Sequence, residues 1–95
     1  MRITGKKLQS KLDTINTLLF GSPDTRVERA DGGGYDTLIG RWVLDSAYGG
    51  VDAHIYSNNA GGGFSLLYSH GPKRELYFAL VGAIEGIRAL KDSQE

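Results

Sequence analysis

Ninety-five residues carry eleven Lys or Arg and eleven Asp or Glu side chains, a formal net charge of +0 with His neutral, so no global field draws the chain to long nucleic acid or to an anionic membrane. With no cysteine there is no disulfide framework, thiolate nucleophile or Cys-ligated zinc. No apolar run approaches the roughly 20 residues that span a bilayer and no apolar signal core opens the chain, so the expectation is one soluble, cytoplasmic domain.

Leu8, Leu12, Ile15 and Leu19 recur at helical spacing and predict an amphipathic helix from about Thr4 to Phe20. Gly21, Ser22, Pro23 and Asp24 stop it. A short edge strand is expected over residues 25–30, where Val27 stands among charges that discourage pairing with other chains. Asp31 followed by Gly32, Gly33 and Gly34 predicts a hairpin reversal, since glycine tolerates the positive φ of tight turns. Residues 35–46 read as one strand, with Leu38, Trp42 and Leu44 on one parity and Ile39, Arg41 and Val43 on the other. Gly49 and Gly50 turn the chain into residues 51–57, where Val51, Ala53 and Ile55 alternate with Asp52, His54 and Tyr56. After the glycine-rich reversal at residues 58–63, Phe64, Leu66 and Tyr68 alternate with Ser65, Leu67 and Ser69.

A second helix is predicted over residues 71–90, with Pro72 at its first position and Leu76, Leu80, Ala83, Ile87 and Leu90 as its apolar stripe. Lys73 and Arg74 fall in the first turn, where the helix dipole favours acidic neighbours, and only Glu75 conforms. Gly82 and Gly86 make a smooth strip that lets a strand, another helix or a second copy approach closely, and with the small core they point to a homo-oligomer. The polar tail beyond residue 90 should fray. The order helix, antiparallel meander of three or four strands, helix gives an α+β fold with both helices on one face of the sheet and the other face open.

No residue set reads as a catalytic centre. Ser46, Asp52 and His54 include the types of a hydrolytic triad, but no G-x-S-x-G elbow accompanies them. His54, His70, Asp45, Asp52 and Glu75 lack metal-ligand spacing, so neither a metal nor a cofactor is expected. The glycine runs are not phosphate loops, because no G-K-[ST] follows. The start of the last helix is the stronger candidate: its first N–H groups have no intrahelical partner, and Lys73 and Arg74 add positive charge there, which suits a phosphate. His70 and the rings of Tyr48, Tyr56 and Tyr68 lie nearby if the Gly49 turn meets the helix start, and rings offer stacking surfaces for a base. With His54 these make the candidate ligand-binding set Tyr48, His54, Tyr56, His70, Lys73 and Arg74. The plain alternative is a solvated first turn beside half-buried sheet tyrosines.

The stretches L-D-S-A-Y-G-G at residues 44–50, N-A-G-G-G at 59–63 and G-P-K-R-E-L-Y at 71–77 together resemble a family of small bacteriophage and prophage proteins, over roughly residues 42–90. The resemblance implies a phage accessory protein and no particular reaction. Small non-structural phage proteins often block or sequester host defence components, and the expected role follows by that analogy. The first expectation is a non-enzymatic protein that sequesters a small anionic ligand such as a nucleotide signal of host defence. The second is an inhibitor that covers a host protein with its exposed sheet face or edge strand, anchored by Tyr56 and Trp42. The third is a hydrolase of such a signal.

Overall fold

The structure is a computed structural model that describes residues 2–94. Helix α1 (Gly5–Phe20) starts where the Thr4 hydroxyl accepts the Lys7 N–H at 3.2 Å. It ends on Gly21, whose φ of 83° lets its own N–H donate to the Thr17 carbonyl at 2.9 Å. Both devices satisfy backbone groups that a helix end leaves orphaned. Strands β1 (Arg26–Glu28) and β2 (Tyr35–Thr37) form an antiparallel two-stranded ribbon. Strands β3 (Trp42–Ala47), β4 (Gly50–Tyr56) and β5 (Gly63–Ser65) form an antiparallel sheet in that order. Helix α2 (Lys73–Ser93) completes the α+β fold. Among the described residues, no helix is long and apolar enough to cross a membrane.

The segment read as one strand over residues 35–46 is broken at Gly40. That residue has a φ of 86°, and the Phe20 ring lies 2.8 Å from where a Cβ would stand. The Arg41 N–H closes a turn onto the Leu38 carbonyl at 3.2 Å. Close approach of a ring to bare backbone is what only glycine permits here, and the break divides the strands into two sheets.

Both helices cover the sheet face that carries Trp42, Leu44, Val51 and Ala53. Leu8, Leu12 and Ile15 of α1 meet Leu76, Leu80 and Ile84 of α2 over Val51 and Ala53, and these eight side chains are the buried core. Burying each large aliphatic group contributes about 1.5–3 kcal/mol. The buried line on α2 follows Leu76, Leu80 and Ile84, while Ile87 is half-buried and Leu90 is exposed. A stripe spaced at 3.5 residues drifts around a straight helix by about 20° every seven residues, which rotates Leu90 out of the core.

The helices run parallel. Ile3 shares a depression with Lys73, Arg74 and Phe78, while Lys7, Ser10 and Lys11 share one with Tyr77. Further along, residues of α1 from Ser10 to Leu18 share one with Arg88. Both helix starts therefore lie at one end of the molecule. Two polar side chains fasten the sheet. Asn16, fully buried, donates to the Trp42 carbonyl and accepts the Trp42 N–H, both at 2.9 Å, which closes the outer edge of β3. After β5 the Leu66 N–H donates to the Ala53 carbonyl, and Gly71 pairs with Val51. Residues 67–70 thus arch over the single residue Asp52 as an enlarged, four-residue bulge, and the sheet face read as open is partly covered there.

Candidate anion site at the paired helix starts

Pro72 is the capping residue of α2 and not its first helical residue, because its ψ of 147° is extended and helical geometry begins at Lys73. No side chain caps this end; the Glu75 N–H donates to the Pro72 carbonyl at 3.1 Å, and the N–H groups of Lys73 and Arg74 are the ones without an intrahelical partner. Glu75 is the acidic residue of the first turn, and it folds back until its Oε2 lies 2.9 Å from where a Gly71 Cβ would stand. Lys73 and Arg74 are exposed, and neither forms an ion pair among the described residues. They line a depression of about 350 Å³ with Ile3 and Phe78, and the Arg74 guanidinium carbon sits 5.7 Å from the centre of the Phe78 ring.

The parallel packing adds the start of α1 to this end. Arg2, Lys6, Lys7 and Lys11 join Lys73 and Arg74, six of the eleven cationic side chains, and the first turn of α1 holds no acid. The Lys7 ammonium is tied to the Arg2 carbonyl at 3.0 Å, and the Lys11 ammonium lies 5.9 Å from the centre of the Tyr77 ring. A chain with balanced charge thus concentrates cations where two helix dipoles also present their positive ends. Sequence reasoning reached Lys73 and Arg74 but missed Ile3, Phe78 and the lysines of α1. The available signal was the grouping of Lys6, Lys7 and Lys11 early in the first helix.

The other expected residues separate into two groups. The Gly49 turn does meet the helix start: Ser46, Ala47, Gly49, Gly50, Val51, Gly71, Pro72 and Lys73 wall a depression of about 520 Å³. Tyr48 is not among its walls. It projects into solvent with its ring 5.9 Å from that of His70, and His70 Nε2 donates to Asp45 Oδ2 at 2.7 Å. His54 and Tyr56 lie on the far sheet face, with rings 5.5 Å apart, in a depression of about 410 Å³ with Val43, Leu44, Asp45 and Gly61. His54 Nε2 donates to the Gly61 carbonyl at 3.0 Å. The ring beside the two cations is Phe78, not Tyr48 or Tyr56.

The triad types do not assemble. Ser46 pairs with Val51, so it faces away from Asp52 and His54. The Asp52 carboxylate is engaged by the N–H groups of Ala53 and Leu67. Among the described residues no group of three His, Asp or Glu side chains is placed to hold a metal ion. No family model, curated protein or solved structure matches the chain.

Proposed function

We propose that the chain is a phage accessory protein that binds and sequesters a small phosphate-bearing molecule, a nucleotide signal of host defence, at the end where both helices start. The observation that carries the reading is the parallel packing of α1 and α2, which sets Lys73 and Arg74 beside the start of α2 and the Phe78 ring and puts the start of α1, with Arg2, Lys6, Lys7 and Lys11, at the same end. Phosphate oxygens suit the N–H groups and cations, and a base suits the ring. Titration calorimetry against mono-, di- and cyclic nucleotides tests it. At least one should bind with an affinity that falls with added salt. Lys73→Ala with Arg74→Ala should weaken binding at least about tenfold, equivalent to 1.4 kcal/mol, and leave the melting temperature unchanged. A panel without a binder sinks the reading.

A second reading, inhibition of a host protein by surface coverage, has its own support. Tyr48 and Tyr68 are 98% and 90% exposed and hold φ angles of 55° and 65°. Left-handed backbone costs a non-glycine residue about 1–2 kcal/mol, and exposed tyrosines are frequent anchors at protein interfaces. Capture of one host protein from infected-cell lysate, lost with Tyr48→Ala and Tyr68→Ala, would favour this reading over the first.

A further inference from the structure

Across Gly82 and Gly86 the outer face of α2 has no partner within the protomer, and its residue pattern is self-complementary. Phe78 and Leu90 on this face are 55% and 60% exposed. A Cβ added at Gly82 or Gly86 meets nothing within 4 Å, so no strand or helix of the same chain uses the smooth strip. These positions are symmetric about Ile84, with the glycines two residues to either side and Phe78 and Leu90 six. An antiparallel copy centred on the same point sets glycine against glycine and brings Phe78 level with Leu90 of the other copy on the opposite flank of the face. The bare centre lets the helix axes approach closely, while the large apolar side chains at both ends lose water.

The charges follow the same symmetry. Arg74 and Asp92 are eighteen residues apart, five turns at 3.6 residues each, so they stand on one flank of α2. Neither forms an ion pair among the described residues. In the antiparallel arrangement like flanks meet, and Arg74 of each copy comes level with Asp92 of the other to within about 3 Å along the axis, at 1.5 Å per residue. Glu85 lies near the centre of this flank, with Arg88 one turn on to offset its charge. We infer that this face of α2 joins two copies of the chain in an antiparallel pair, with the glycines at its centre and two Arg74 to Asp92 contacts at its ends.

Sedimentation equilibrium on the full chain, from micromolar to near-millimolar and without added phosphate, tests the pair. Phosphate is omitted because an anion held by Arg74 would compete with Asp92 of the second copy. Twice the chain mass is expected at the upper concentrations, and a monomer throughout overturns the inference. Gly82→Lys with Gly86→Lys should shift the equilibrium to monomer and leave the circular dichroism melt at least as high, since both sites are exposed and lysine is the better helix former. A dimer indifferent to that change lies on another surface and also overturns it. Arg74→Asp and Asp92→Arg should each weaken association at least about fivefold, and combining them should restore it. Failure of the double exchange to restore association overturns the antiparallel register. The Gly82 and Gly86 variants leave the helix-start cations intact, so their result does not depend on the anion reading.

Discussion

Asp52 Oδ1 accepts the backbone N–H of Leu67 at 3.0 Å, beneath the four-residue bulge that carries Tyr68 and His70. The same oxygen accepts the Ala53 N–H at 2.7 Å, and the side chain is fully buried. Removing it orphans two backbone donors, and Ala53 is buried. Asp52→Ala should therefore lower stability by about 1–3 kcal/mol and speed amide exchange at Leu67. Asp52→Asn keeps an acceptor oxygen and should cost less. Unchanged exchange at Leu67 in the alanine variant would mean that the bulge is held by its flanking pairs alone.

Asn16→Leu should destabilise by about 1–3 kcal/mol although it places an apolar side chain among apolar neighbours, because the Trp42 N–H and C=O lose their partners. Fluorescence of Trp42, the one tryptophan, reports the same edge of β3. A variant as stable as the parent in urea would show that water satisfies Trp42 without help.

Leu80 and Leu90 belong to one stripe in the sequence and differ in the fold. Leu80 is completely buried, so Leu80→Ala should cost about 2–5 kcal/mol in urea melts. Leu90→Ala should cost less than about 0.5 kcal/mol in dilute protein, as ordinary exposed sites do. Equal losses at the two positions would place the buried stripe of α2 elsewhere.

Tyr68→Gly should leave the melting temperature unchanged or slightly raised. Relief of the left-handed backbone, about 1–2 kcal/mol, offsets the extra chain entropy of glycine, about 0.5–1 kcal/mol. A loss above about 1 kcal/mol would show that the exposed ring packs in solution.

The helices were legible because each carries its own signals: Thr4 and Gly21 bound the first, Pro72 opens the second, and Leu8, Leu12, Leu76 and Leu80 mark the buried faces. The sheet was legible only in part. The break at Gly40 depends on Phe20, twenty residues earlier, and the bulge at residues 67–70 depends on the Asp52 carboxylate, so a period-two pattern cannot reveal either. Asn16 carries no local signal of its burial, since its partner is the backbone of Trp42. At the candidate site the cations of α2 could be read locally, but their neighbours could not. The register of two parallel helices far apart in sequence brings Ile3 and Phe78 together.

Parallel packing of α1 on α2 also sets when the chain can fold. Leu8, Leu12 and Ile15 have no apolar helix to meet until Leu76, Leu80 and Ile84 have been synthesised, and contacts so distant in sequence carry a large loop-closure cost and form slowly. The growing polypeptide therefore leaves the ribosome with the apolar face of α1 uncovered for most of translation. Chaperones meet that face before α2 can cover it, and a truncation that removes α2 should yield an aggregating chain rather than a smaller folded one.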